Sequence, residues 1–97
     1  MEVLNPKYDA SKSVAYTGTA GTTAAFTPGV NAVMVWATTD CYVKVGESVT
    51  ATSDDLAIPA FTPVLIRITT QNPYVVSAIQ ISASGTVYAN PMNGATA

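Results

Sequence analysis

The stretch Val33-Met-Val-Trp-Ala-Thr-Thr-Asp-Cys-Tyr-Val-Lys-Val-Gly46 decides the fold. It is the longest apolar, β-branched and aromatic segment of the chain and carries its one tryptophan and its one cysteine. In its first half Val33 and Val35 fall on one alternating face and Met34 and Trp36 on the other. Both faces are apolar, as in a central strand covered on both sides. After the polar corner Thr38-Thr39-Asp40, the side chains of Cys41, Val43 and Val45 point one way and those of Tyr42 and Lys44 the other. This is the period of two of a half-buried strand, ending at Gly46. The stretch reads as a hairpin or a bent pair of strands.

Shorter strands are expected on either side. Ser13–Thr17 is one, closed by Gly18-Thr-Ala-Gly21, and Thr22–Thr27 is another, turned back by Pro28-Gly29 with the residues a type II turn requires. Glu47–Asp55 is polar and reads as a long loop or a weak edge strand. Leu56–Ile58 and Val64–Thr69 are strands, and Pro59 and Pro63 set off Ala60-Phe61-Thr62 as a connection outside the ladder. After the turn Gln71-Asn-Pro73 comes a strand over Tyr74–Ser82, then a tight hairpin at Ser84-Gly85 and a last strand over Thr86–Asn90. About eight short strands, regular turn signals and no helical period give an all-β fold. The expected architecture is a small antiparallel β-sandwich, jelly-roll or immunoglobulin-like. Its expected core is Val33, Val35, Cys41, Val43, Val45, Ile66, Ile68, Ile79 and Ile81.

Residues 1–12 show neither strand nor helix periodicity and are expected to form an extended N-terminal arm, with residues 13–91 the β-sandwich domain and 92–97 a loose C-terminal tail. Within the arm, Val3, Leu4 and Tyr8 place three large apolar groups close together, which solvated tails seldom do. They are candidate docking residues.

Composition narrows the function. Of 97 residues, 48% are hydrophobic but 10% are charged, against about 25% charged in an average soluble protein. A surface so poor in charge fits one partly covered by neighbours in an assembly, and it also occurs in secreted β-sandwiches. The net charge is −2 and the cations Lys7, Lys12, Lys44 and Arg67 are scattered, which argues against nucleic acid as a partner. A single cysteine allows no disulfide within the chain and fits synthesis in a reducing cytoplasm. There is no basic-then-apolar leader and no apolar run near the roughly 18 residues of a membrane-spanning helix, so neither membrane nor export is expected.

The residues point away from catalysis. Histidine is absent, which removes the commonest general base and metal ligand. Cys41 has no imidazole to activate it and reads as a small buried hydrophobe. Asp54 and Asp55 are adjacent, so on a strand they would face opposite ways, unlike a shared acid–base site. A calcium site from Asp40, Glu47, Asp54 and Asp55 matches no known loop spacing. Trp36, Tyr42, Phe61, Tyr74 and Tyr88 admit two readings, a sugar-stacking platform or filler of core and interface. The second fits their places inside strand patterns better. No catalytic residue, cofactor or metal ligand is expected, and no enzyme activity.

The segment Val35-Trp-Ala-Thr-Thr-Asp-Cys-Tyr-Val-Lys-Val-Gly46, followed by Ile58-Pro-Ala60, Val64-Leu-Ile-Arg-Ile68 and Val75 to Tyr88 with Ala83-Ser-Gly-Thr-Val-Tyr88, resembles small proteins from tailed-bacteriophage structural gene clusters. The resemblance covers roughly residues 30–90 and is to head decoration, or capsid cement, proteins. It implies a non-enzymatic virion protein, made in the host cytoplasm, that binds the outer surface of an assembled capsid and stabilises contacts between capsomers. Its expected partners are the major capsid protein and itself, as a homotrimer or next a homodimer. Candidate contacts are Val3, Leu4 and Tyr8 of the arm and Phe61 of a loop. The alternative is a carbohydrate- or protein-binding β-sandwich module of a phage fibre or tail. A flat apolar patch would favour lattice contact, and a concave aromatic cluster with Asn or Asp nearby would favour the module.

Overall fold

A computed structural model describes the backbone of residues 2–7 and 10–96 and the side chains of 5–7 and 10–93. Nine strands follow one another, with no helix among the described residues: β1 (Glu2–Pro6), β2 (Lys12–Tyr16), β3 (Gly21–Thr22), β4 (Ala32–Ala37), β5 (Cys41–Gly46), β6 (Leu56–Ile58), β7 (Val64–Arg67), β8 (Val75–Gln80) and β9 (Gly85–Thr96). They form two antiparallel sheets, as expected of an all-β sandwich. In sheet A the order is β1-β9-β4-β7, with β2 also on β9, and in sheet B it is β3-β8-β5-β6. Strands β2 and β9, β3 and β8, β4 and β7, and β5 and β6 are each paired, so the chain is one nested antiparallel hairpin wrapped around its core.

This nesting corrects the local reading of the deciding stretch. β4 and β5 are not a hairpin: β4 lies in sheet A and β5 in sheet B, and Thr38-Thr39-Asp40 is the corner where the chain changes sheets. Ser84-Gly85 likewise leads from β8 in sheet B to β9 in sheet A rather than closing a hairpin. Period-two patterning reports which face is buried and is silent on which strand is the neighbour.

The corner is fastened by its own polar atoms. Thr38 Oγ1 accepts from the Thr86 N–H at 3.0 Å. The Tyr16 hydroxyl donates to the Thr39 carbonyl at 2.9 Å, and Thr39 Oγ1 donates to the Ala83 carbonyl at 3.0 Å. Gly85 sits among these groups so closely that an added Cβ would lie 2.5 Å from Thr39 Oγ1 and 2.8 Å from the Tyr16 oxygen. Glycine is the residue that fits. Gly21, where β2 has just crossed into β3, is under the same constraint, since a Cβ there would run into the Ala15 carbonyl.

Between the sheets lie Val33, Val35, Ala37, Cys41, Val43, Ile58, Ile68, Val76, Ala78, Val87 and Ala89 around the rings of Tyr16, Phe26 and Tyr74. Of the expected core, Val33, Val35, Cys41, Val43 and Ile68 are buried, and Val45 and Ile66 pack against it partly buried. Ile79 and Ile81 are corrections. On β8 the inward register belongs to Val76 and Ala78, which puts Ile79 on the outside, and Ile81 just beyond the strand is 44% exposed. Three aromatic rings fill the interior, so the small Ala78 faces in where the bulkier isoleucines were expected.

The expected boundaries at residues 12 and 91 are not structural boundaries. Residues 2–6 of the expected arm are β1, paired with Met92–Thr96, and the segment expected as a loose tail is the end of β9. The polar run Glu47–Asp55 is a loop, and it covers the outside of sheet B. The Ala51 N–H donates to Ser77 Oγ at 2.9 Å, and Ala51 is 2% exposed.

Candidate functional site

The alternation that buries Val33, Val35 and Ala37 turns Met34 and Trp36 to the outside of sheet A, where they are half-buried. Cross-strand register then determines their neighbours: Leu65 of β7 stands opposite Met34, and Tyr88 of β9 opposite Trp36. The result is an apolar stripe over a central strand that was expected to be covered on both faces and is open on one. Leu65 is 43% exposed and Tyr88 38%. Other positions of the same register nearby are Ala32, Arg67, Asn90, Ser13 and Met92, none of them acidic, and Met92, opposite Ala32, is covered at 1% exposed.

Trp36 and Tyr88 stack with ring centroids 4.4 Å apart and planes 14° from parallel. Rings stacked on each other across two strands stand up from the sheet, and each gives one face to its neighbour. What they offer outward is edges, unlike the open ring faces on which a sugar lies.

Phe61 extends the stripe. Its ring lies 6.0 Å from that of Trp36, tilted by 32°, and it is 67% exposed. The loop holding it is pinned at two points: the Phe61 N–H donates to the Ala37 carbonyl at 2.8 Å, and the Ala60 N–H to Asp40 Oδ1 at 2.8 Å. Phe61 has a φ of 55°, the left-handed region that suits glycine and is unfavourable for a bulky side chain. A large apolar residue is thus held in a costly conformation where its ring gains little burial.

Of the four candidate contacts, Phe61 stands in this stripe. Val3 and Leu4 are in β1, with Cα partners Ala95 and Gly94, and their side chains lie outside the described residues, as does all of Tyr8. The structure does not bring Val3 to Phe61: Ala95 is seven residues beyond Tyr88 on β9, about 23 Å at roughly 3.3 Å per residue. Trp36 and Tyr88 are among the aromatics expected to fill core and interface, whereas their meeting in one stripe, with Leu65 beside it, is not evident from the sequence. The stripe's signal was the parity of Met34 and Trp36 against Val33 and Val35, taken as a second buried face.

The remaining aromatic and ionisable groups lie elsewhere. Tyr74 is in the core, stacked on Phe26 at 5.1 Å, and Tyr42 is half-buried on β5. Cys41 is fully buried, and burial above all pushes its thiol pKa up, away from the reactive thiolate. Asp40 holds Ala60, Asp55 accepts from the Thr52 N–H at 2.8 Å, and Glu47 accepts from Thr70 Oγ1 at 2.7 Å, so these carboxylates serve separate loops. A cleft of about 180 Å³ at one end of the sandwich is bordered by Glu47, Arg67, Thr70 and Tyr74. The Tyr74 hydroxyl is buried and has no hydrogen-bond partner among the described residues, and its pKa is raised by desolvation. Comparison of the chain with protein-family profiles, with curated proteins and with solved structures gave no match.

Proposed function

We propose that this chain is a non-enzymatic virion structural protein that docks the Trp36–Tyr88–Phe61 stripe on the outer surface of an assembled phage capsid, across contacts between capsomers. The observation that carries this reading is Phe61: a ring two-thirds in solvent, on a backbone that favours glycine, beside two more partly exposed aromatics. Such an arrangement costs stability and is explained by a partner that covers it. An aromatic patch on the open face of a sheet is the shape that a broad protein contact fits. The resemblance to capsid decoration proteins names the partner class, the major capsid protein, and the place, the outer shell. The nested pairing of the strands supports the jelly-roll alternative over the immunoglobulin-like one. Self-association, as a trimer or a dimer, is part of the proposal, since β7 and β6 are edge strands with few charges to guard them.

The carbohydrate-binding alternative is weakened by the upright, mutually stacked rings. The test is co-sedimentation with phage shells assembled without the protein, at low and high salt. Apolar docking predicts binding that persists at high salt and is lost on Phe61→Gly. Failure of the unaltered protein to pellet with shells at either salt would remove the capsid reading.

A further inference from the structure

β9 outruns the sandwich. From Val87 to Met92 it has β4 along one side, while its other side carries β2 as far as Ala89 and β1 from Met92. From Asn93 to Thr96 it has β1 alone. Residues 2–5 and 93–96 therefore form a two-stranded ribbon in the plane of sheet A, beyond the last rung of β4. Where β4 would have continued, the Asn31 N–H bonds the side-chain oxygen of Asn93 at 3.1 Å. The β9 half of the ribbon, Asn93-Gly-Ala-Thr96, is made of small residues, three of them poor strand formers. Among the described residues, β9 is the one strand against which β1 packs extensively. A lone two-stranded ribbon is at best marginally stable in water, and β1 can leave β9 without unpairing any other strand.

The link from β1 to β2, residues 7–11, is tied at its ends. The Lys7 N–H donates to the Pro91 carbonyl at 3.0 Å, and Asn90 Nδ2 donates to the Lys7 carbonyl at 3.4 Å and to Ser11 Oγ at 2.5 Å. The Lys7 bonds prolong the β1–β9 ladder and so go wherever β1 pairs, while the Asn90–Ser11 bond holds the other end of the link beside β2.

We propose that β1 is exchanged between copies: Glu2–Pro6 of one chain leaves its own β9 and pairs with Met92–Thr96 of a second copy in the same antiparallel register. The receiving edge fits by construction, because it already pairs this sequence within one chain. Exchange makes the same ladder as closure, so the two differ chiefly in the millimolar-range local concentration that the link gives β1. Copies held together by another contact reach that concentration, so this inference rests on the self-association proposed above. Swapping of an identical element between protomers then locks the assembly.

Asn5 and Asn93 are direct Cα partners, close enough in an antiparallel ladder for a disulfide. In the N5C/N93C variant of the full chain, with the buried Cys41 left in place, oxidation at increasing protein concentration should give covalent dimers and larger species on a denaturing gel without reductant. A mixture of N5C chains with N93C chains should give the cross-linked pair as well, and each alone should not. Monomers with an internal disulfide at every concentration, or no disulfide at all, would overturn the exchange. Sedimentation of the unaltered protein separates the two ideas: an oligomer whose disulfides are all internal keeps self-association and discards exchange, and a monomer at high concentration discards both.

Discussion

The outsides of the two sheets are built on the same alternation and finished in opposite ways. On sheet B, Ser77 points out of β8 and is nonetheless fully buried, because the Glu47–Asp55 loop lies over it and Thr22 flanks it on the neighbouring strand β3. Its hydroxyl donates to the Gly21 carbonyl at 3.2 Å and accepts from Ala51 N–H at 2.9 Å and Thr22 Oγ1 at 3.1 Å, which uses its full capacity. On sheet A none of the described residues closes over Trp36, Tyr88 and Leu65, and the surface there is apolar. A polar group was put where the chain covers itself, and aromatic groups where it does not. The difference teaches that around Ser77 the chain closes over its own sheet, while the stripe on sheet A stays partly in solvent.

The largest effect should come from breaking the covered face. Ser77→Val strands a buried N–H at Ala51 and a carbonyl at Gly21, and should lower the free energy of unfolding by about 2–3 kcal/mol in chemical denaturation. A loss under about 0.5 kcal/mol would mean that the loop does not close over sheet B. On the open face the balance reverses. Tyr88→Ser removes a partly exposed ring and should cost about 1 kcal/mol of stability or less, while weakening binding to shells about tenfold or more.

How far this contrast was legible in the sequence differs between the faces. Val33 and Val35 announced a buried face, and Gly46, Pro59 and Pro63 marked ends of strands correctly, because those signals act within a few residues. The open face was not legible, since Met34 and Trp36 read the same whether a second layer covers them or solvent does. The loop over Ser77 was hidden for the converse reason: its polar residues looked solvated, and what buries Ala51 is a backbone N–H meeting a serine 26 residues away. The nested pairing of β2 with β9 and β3 with β8 spans most of the chain, beyond the reach of any local pattern.

Phe61→Gly sharpens the comparison further, because it separates stability from docking. Glycine relieves the positive φ, so the unfolding free energy should stay within about 1 kcal/mol of the unaltered protein or rise. Binding to shells should fall about tenfold or more. A variant that loses stability and keeps binding would assign Phe61 to the fold and remove it from the stripe.

The smallest effect at neutral pH belongs to Tyr74→Phe, which measures what a hydroxyl contributes when, unlike that of Ser77, it has no partner. The Tyr74 ring is stacked on Phe26 and stays so in the variant, and the buried oxygen it loses makes no hydrogen bond. Removing an unpartnered buried hydroxyl is close to neutral or mildly stabilising, so at pH 7 the two proteins should unfold within about 1 kcal/mol of each other. Alkali should separate them. Burial holds the phenol above its ordinary value of 10.0, so the folded protein keeps a proton that the unfolded chain releases. Stability linked to that proton is fully present below pH 10 and is lost as pH rises through the folded value. Burial raises the Tyr16 and Cys41 values too, but both groups remain in the variant and cancel in the difference. Unfolding free energies followed from pH 8 to 11 should therefore run together at first, and above pH 10 the unaltered protein should fall away faster than Tyr74→Phe. Parallel curves across that range, or a loss of more than 1 kcal/mol at pH 7, would mean that the hydroxyl finds a partner in the cleft beside Glu47 and Thr70.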